Sequence, residues 1–161
     1  MTGKGTNPYA SVAGSVVTDN LAYMKGNDFM KVLIIEPGKI PYEKEIGTNL
    51  NAMQETVGGH IEAVYPYAEK VAIVCNEEGK NEMLPLNRAL RDEDGNIYDV
   101  IAGTFFICGL SRTNFVSLSS NYIEKFKKEF YDPEIFMMVN GKIIAKKIKG
   151  QNEDRDDRDE R

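Results

Sequence analysis

The sequence predicts a single α+β domain with a mainly antiparallel sheet, two helices and a C-terminal β-hairpin. Three observations lead to this fold class. Short apolar runs rich in β-branched residues recur along the chain and are separated by turn residues. Two stretches place apolar residues at helical spacing behind a capping residue. Asn140-Gly141 stands between two β-prone runs, which is the preferred two-residue hairpin turn.

The first strand is predicted at Val32–Ile35, a wholly apolar run that ends at Glu36-Pro37-Gly38. The next segment, residues 39–47, is too polar and too short to assign. A helix follows to about Val57, capped by Thr48 or Asn49 and stopped by Gly58. Its apolar face holds Leu50, Met53 and Val57.

Beyond Gly58-Gly59 the apolar pattern changes to a period of two. Ile61–Tyr67 alternates and Val71–Cys75 is apolar, so the two predict a hairpin. Asp92-Glu93-Asp94-Gly95 is a turn by composition. Ile97–Leu110 is a long β-rich stretch in which Gly103 and Gly109 indicate bulges or close backbone approach.

The second helix is predicted to run to about Tyr131. Ser119, Ser120 or Asn121 can cap it, and Asp132-Pro133 ends it. Its apolar stripe consists of Ile123, Phe126 and Phe130. Ile135–Val139 and Lys142–Ile148 then form the C-terminal hairpin around Asn140-Gly141.

Charge and composition divide the chain into three parts. The whole chain has 161 residues and a formal net charge of −5, of which −3 lies in the tail 151–161 with its six acids and three arginines. This tail has no apolar residue, so we expect it to be disordered. We expect an N-terminal, partly irregular extension at 1–29 and the α+β domain at 30–150. The nearly neutral domain argues against broad nucleic-acid binding and against DNA mimicry by a dense array of carboxylates.

Targeting and redox features favour a cytoplasmic protein. Residues 1–28 lack the continuous apolar stretch of a secretory signal. The longest nearly apolar run, Val100–Leu110, is far shorter than the roughly 20 residues that span a bilayer, so we expect no membrane partner. Cys75 and Cys108 lie in apolar runs and are expected to be buried, reduced thiols, although a disulfide is not excluded by their spacing.

The most informative polar cluster is Asn87, Arg88 and Arg91. If Asn87 caps a short helical turn, the two arginines lie on one face and form a fork for a carboxylate or phosphate. The alternative is a cap followed by two surface arginines that pair with Asp92 and Asp94.

Two further features bear on a ligand site. Gly58-Gly59 can admit a ligand close to the backbone, and Tyr65 can stack on it. His60 is the one histidine of the sequence, so any general-base or Cys–His mechanism would have to use it; a hydrogen-bonded residue at the start of a strand is the simpler interpretation. We predict no cofactor and no metal, since the acids at 92–99 fail the spacing of a calcium loop.

Lysines 142, 146, 147 and 149 make the last hairpin basic. A charged edge strand resists pairing with other edges, and this is the simpler interpretation. Contact with nucleic acid or an acidic partner is the alternative.

From Lys31 to about Phe130 the chain resembles a bacterial and phage family known as domain of unknown function 3846. The resemblance covers about 100 of the 161 residues. It implies an accessory protein of phages or mobile elements, with a counter-defence role. It is densest in the segment that holds Asn87, Arg88 and Arg91. The segments that carry it are VLIIEPGKIPYEKEI (32–46), VGGHIEAVYPY (57–67), CNEEGK (75–80) and LPLNRALRDEDGNIYDVIAGTFFICG (84–109).

Three functions are compatible with these features. The leading hypothesis is a non-catalytic protein that binds a small anionic, nucleotide-type ligand through Asn87, Arg88, Arg91, Gly58, Gly59 and Tyr65. The alternative is a protein-directed inhibitor of a restriction or CRISPR nuclease, with a host defence protein as partner. A small enzyme using Glu36 and Asp92 is third. A homo-oligomer is compatible with all three.

Overall fold

A computed structural model describes residues 28–150 of the chain. Its centre is an antiparallel sheet in the order β2-β1-β7-β4-β3, with β8 paired to β7. Two separate hairpins, β5–β6 and β9–β10, and two helices complete the domain. The strands are β1 (Phe29–Ile35), β2 (Tyr42–Gly47), β3 (Ile61–Val64), β4 (Val71–Asn76), β5 (Leu86–Arg91), β6 (Ile97–Ala102), β7 (Phe105–Leu110), β8 (Phe115–Val116), β9 (Glu134–Val139) and β10 (Lys142–Lys147), and the helices are α1 (Leu50–Val57) and α2 (Ser120–Glu129).

The central sheet is covered on both faces, which explains why β1, β4 and β7 are almost continuously apolar. Val32 and Ile34 of β1 face the cluster built on α1. Leu33 and Ile35 face the opposite cluster, to which α2 and the β5–β6 hairpin contribute. The α+β fold with a C-terminal hairpin is therefore confirmed.

Both helices begin and end where capping residues allow. The Asn49 side chain accepts a hydrogen bond from the Ala52 backbone N–H at 2.8 Å, and α1 ends at Gly58, whose φ of 82° is left-handed. The side chain of Ser119 caps α2, and Phe130 ends it. The apolar stripe of α2 is buried against the sheet as its spacing predicts, and so are Met53 and Val57 of α1, but Leu50, predicted on the same face of α1, is exposed at the first turn of the helix.

The C-terminal hairpin turns on Asn140 and Gly141, with φ of 52° and 79°. Two consecutive positive φ angles are the signature of the type I′ turn that an Asn-Gly pair predicts. Val139 pairs with Lys142 directly beyond the turn.

Two local predictions need correction. The unassigned segment after Gly38 contains a full strand, β2, whose side chains are mostly exposed because it lies at the sheet edge. Asn87 does not cap a helical turn, since residues 86–91 are strand β5. The Asn87 side chain bonds to distant carbonyls and thus supports an extended backbone.

The tail 151–161 and residues 1–27 of the predicted extension lie outside the described residues. Between residues 28 and 150, no helix combines the length and apolarity needed to cross a membrane.

Candidate functional site

Asn87 is a buried connection between strands. Its Nδ2 donates to the carbonyl oxygens of Ile35, at 2.9 Å, and Gly103, at 2.8 Å. Its Oδ1 accepts from Nη1 of Arg88 at 2.9 Å. The amide thus joins the end of β1 to the β6–β7 turn, in a residue that is only 1% exposed.

Arg88 is also buried, and its guanidinium is held by backbone carbonyls. Nε and Nη2 both donate to Phe130 O, at 3.0 and 2.9 Å, and Nη2 also donates to Lys39 O at 2.8 Å. Burial lowers the pKa of Arg88 to about 10, and the nearby charges of Glu134 and Asp132 act in the opposite direction. The side chain remains a cation at neutral pH and offers its donors to the protein itself.

Arg91 lies on the same strand but points to a different partner. Its Nη1 and Nη2 donate to the two carboxylate oxygens of Glu134, at 3.2 and 3.0 Å. The side chain of Glu134 is 3% exposed, so this is a bidentate pair at the edge of the core. It attaches the first residue of β9 to the last residue of β5.

Gly58, Gly59 and Tyr65 lie near α1. Gly58 supplies the left-handed end of that helix. A Cβ on Gly59 would lie 2.8 Å from Nδ2 of Asn76, so the close approach made there is to a neighbouring side chain. Tyr65 packs against the α1 cluster with its Oη buried, and burial raises its pKa to about 12.

The six residues predicted from sequence are therefore divided between the two faces of the sheet. Gly58, Gly59 and Tyr65 belong to the α1 side, and Asn87 and Arg88 belong to the side of α2. The residues of both groups contact other parts of the protein and contribute to its fold. Binding of an anion by these residues stays a prediction, and it would require Arg88 or Arg91 to leave its present partners.

The structure instead presents a cleft between β4 and the β5–β6 hairpin, with a volume of about 290 Å³. The cleft lies on the α2 side of the sheet, beside the edge strand β3. Its apolar wall consists of Val64, Leu90, Val100, Ile101 and Ala102, and its polar residues are Glu62, Cys75, Asn76, Glu77, Lys80, Asn81 and Asp99.

The turn after β4 shapes one end of the cleft. Asn76 holds this turn, because its Oδ1 accepts from Glu78 N at 2.8 Å while its Nδ2 donates to Val57 O at 3.3 Å. Gly79 packs directly on β6, and a Cβ there would lie 2.6 Å from the carbonyl oxygen of Ala102. Glycine at this position lets the turn after β4 pack against the β5–β6 hairpin, and this contact closes the cleft.

The cleft carries more negative than positive charge. Glu62, Glu77 and Asp99 line it together with one cation, Lys80, whose Nζ lies 2.6 Å from Oδ1 of Asp99. These charges also affect the pKa of the Cys75 thiol. Burial raises its pKa to about 12, and the charges of Glu62 and Asp99 add to that effect more than Lys80 opposes it.

The two thiols are free and buried, as predicted. Burial raises the pKa of Cys108 strongly as well. Neither forms a thiolate at neutral pH, and thiolate is the reactive form.

Sequence reasoning missed the cleft, although it assigned most of the elements that build it. The cleft forms where the β3–β4 pair packs against the β5–β6 hairpin. Its polar residues lie between positions 62 and 99 and share no sequence motif. The single local signal was the turn Asn76–Lys80, in which a glycine follows two acids. Turn composition does not reveal what the turn packs against.

These features define a small antiparallel α+β domain with a polar cleft between its central sheet and a packed hairpin. The model of the family described as domain of unknown function (DUF3846) matches residues 30–131, and the chain belongs to this family. No curated protein and no solved structure matches the chain. The matched range contains every residue of the cleft and ends before the β9–β10 hairpin.

Proposed function

We propose that this protein is a non-catalytic binding protein that holds a small organic cation in the cleft between β4 and the β5–β6 hairpin. The observation that carries the proposal is the combination of an apolar wall with three lining carboxylates, those of Glu62, Glu77 and Asp99. Small-molecule sites usually join a mostly apolar surface to a few polar groups that orient the ligand. The volume of about 290 Å³ suits a ligand with one ring or a short chain.

The charges in the cleft favour a cationic head group. Lys80 already pairs with Asp99. Within residues 28–150, Glu62 and Glu77 therefore face the cleft without a second lining cation. A ligand ammonium or guanidinium would gain from these carboxylates, whereas a phosphate would be repelled by them.

A binding role rather than a nucleophilic one is supported by the chemistry of the lining residues. Cys75 is the nucleophile nearest to the cleft, and its pKa of about 12 leaves almost no thiolate at neutral pH. Nζ of Lys80 is engaged by Oδ1 of Asp99 at 2.6 Å, so a substrate would have to displace this contact before it could meet the nitrogen.

The biological setting remains the one implied by the resemblance to phage and mobile-element proteins. We propose a cytoplasmic accessory protein with a counter-defence role. Capture of a nucleotide-type signal at Arg88 and Arg91 and inhibition of a nuclease stay predictions of the sequence.

Three probes with the same phenyl body and different heads test the cleft: phenethylamine, phenethyl alcohol and phenylacetate. Adenosine monophosphate tests the anionic alternative. Amide NMR shifts of the full chain should move around Asp99 and Lys80 with phenethylamine, and move less with the alcohol. No shift in the cleft with any probe would overturn the proposal.

Asp99→Asn is the informative variant. It removes one carboxylate and frees Lys80, so phenethylamine should bind less tightly and phenylacetate more tightly. Asp94→Asn in the exposed β5–β6 turn is the matched control and should bind like the natural chain. Binding of adenosine monophosphate that is lost in Arg91→Ala and kept in Asp99→Asn would favour the anion site instead.

A further inference from the structure

The β9–β10 hairpin exposes an unusual amount of apolar surface. Its register places Ile135, Met137, Val139 and Ile144 on one face, and Phe136, Met138 and Ile143 on the other. The first face is open to solvent along its length. Met138 and Ile143 extend this surface to the second face near the turn. The exposed fractions are 44% for Ile135, 48% for Met137, 68% for Met138, 41% for Val139, 42% for Ile143 and 43% for Ile144.

The sequence of β9 is that of a strand covered on both faces. Ile135–Val139 is a continuous apolar run, whereas a strand with one solvent face alternates apolar and polar residues. The body covers only the beginning of the hairpin, where Glu134 is buried in its pair with Arg91. Contiguous exposed apolar patches of this kind mark interaction surfaces.

The outer edge of β10 is also unpaired by any other strand of residues 28–150. The two-residue turn makes Val139 and Lys142 a hydrogen-bonded pair, and these pairs alternate along an antiparallel ladder. The Ile148 N–H donates to Pro133 O at 2.8 Å, as expected if every second residue pair from Val139 and Lys142 onward is hydrogen-bonded. The backbone groups of Ile143, Ala145 and Lys147 therefore point away from β9.

The charge on this edge indicates the chemistry of its partner. Lys142, Lys146, Lys147 and Lys149 lie on or directly after β10, and residues 135–150 contain no acid. A second copy of the hairpin would bring like charges together, which opposes self-pairing. A lipid surface entered tip first would have to accept Asn140, Gly141 and Lys142, which are polar.

We propose that the β9–β10 hairpin docks an extended, acidic segment of a partner protein, which adds to the β10 edge as a further strand. Its backbone would bond to Ile143, Ala145 and Lys147, and its carboxylates would meet the lysines. Because Lys142 and Lys146 lie on the face of Ile144, the carboxylates of the added strand would lie on that face, and its apolar side chains would cover Ile143 on the other. This surface is separate from the cleft, and it lies outside the residues that the family model matches.

Three synthetic peptides test the proposal on the isotope-labelled full chain. The acidic probe is acetyl-EVEITVEIE-amide, the basic probe has Lys at each Glu, and the third is the acidic probe with Pro at its centre. The acidic probe should slow amide exchange of Ile143, Ala145 and Lys147 roughly tenfold at saturation. The basic and proline probes should leave exchange unchanged.

The charge-reversed double variant Lys142→Glu/Lys146→Glu should no longer bind the acidic peptide and should bind the basic peptide instead. Both lysines are exposed, so the fold is retained. Lys44→Glu/Lys128→Glu, also exposed, is the matched control and should keep the natural preference.

Four results would overturn the proposal. These are no protection by any peptide at millimolar concentration, equal protection by both charges, self-association in sedimentation that Ile144→Asp abolishes, and binding to phosphatidylserine vesicles in place of the peptide. Equal protection by the acidic and basic peptides would mean that the hairpin binds peptides through its apolar surface, whatever their charge. The last two would assign the hairpin to a second copy or to lipid.

Discussion

Nε and Nη2 of Arg88 both donate to the carbonyl oxygen of Phe130, at 3.0 and 2.9 Å. Phe130 is the residue that ends α2, and its carbonyl has no partner within the helix. A buried cation at a helix C-terminus also interacts favourably with the helix dipole. Because Arg88 reaches Lys39 O as well, one side chain connects β5, α2 and the loop after β1.

We expect Arg88→Met to lower the free energy of unfolding by roughly 3 kcal/mol or more, because it leaves the Phe130 and Lys39 carbonyls unpaired in the core. Urea denaturation followed by circular dichroism measures this. Arg112→Met is the control, since Arg112 is exposed, and its effect should stay within about 0.5 kcal/mol. An Arg88→Met protein as stable as the natural chain would show that the connection is dispensable.

This contact also shows where prediction from sequence ends. Helix periodicity, caps and the Asn-Gly turn are local signals, and they located α1, α2 and the last hairpin. The side chain of Arg88 is buried because distant carbonyls surround it, and no neighbour in sequence indicates that. An arginine is almost never fully buried unless it is paired, so a surface role was the natural expectation.

The position of β2 at the edge of the sheet explains why the sequence did not predict this strand. Three of the six residues of β2 are charged and four of its six side chains are exposed, so the strand shows no alternation of apolar and polar residues. It forms because its backbone pairs with β1 from Phe29 to Ile34. Likewise, the cleft depends on how two hairpins pack, a relation that strand patterns do not encode.

Arg91 and Glu134 should be energetically coupled. Arg91→Ala leaves the buried Glu134 carboxylate without its bidentate partner and should cost about 1–3 kcal/mol. Glu134→Ala should cost a similar amount, and the double variant should cost less than the sum. A double-mutant cycle in urea measures the coupling. Strict additivity would mean that the pair contributes nothing to stability.

The carboxyl of Glu129 makes stability depend on pH. Partial burial raises its pKa above the usual value, and this outweighs the hydrogen bond from Tyr67 Oη at 3.3 Å and the charges of Lys125 and Lys147, which favour the ionised form. The folded state then binds its proton more tightly than the unfolded chain does. The stability from this group is present below the unfolded pKa and is lost as the pH rises through the folded pKa.

Glu129→Gln should therefore stabilise the protein relative to the natural chain at pH about 7 and have less effect at pH about 4. Urea midpoints at the two pH values test this. Glu124→Gln, an exposed residue of the same helix, is the control for the loss of a carboxylate charge, and its effect on stability should stay within about 0.5 kcal/mol. A Glu129→Gln effect that is the same at both pH values would contradict the burial argument.

Gly79 should determine whether the cleft exists. A Cβ at this position would lie 2.6 Å from the carbonyl oxygen of Ala102, so Gly79→Ala must push the turn after β4 away from β6. We expect a loss of roughly 1–3 kcal/mol in the free energy of unfolding, together with loss of phenethylamine binding.

Gly95→Ala separates the effect of this contact from the general cost of replacing a glycine. Gly95 has a φ of 86°, and nothing lies within 4 Å of the point that a Cβ would occupy, so the substitution strains the backbone of the β5–β6 turn and touches no neighbour. It should cost about 1 kcal/mol and leave phenethylamine binding intact. If Gly79→Ala bound phenethylamine as tightly as Gly95→Ala, the ligand would have to lie elsewhere than between the two hairpins.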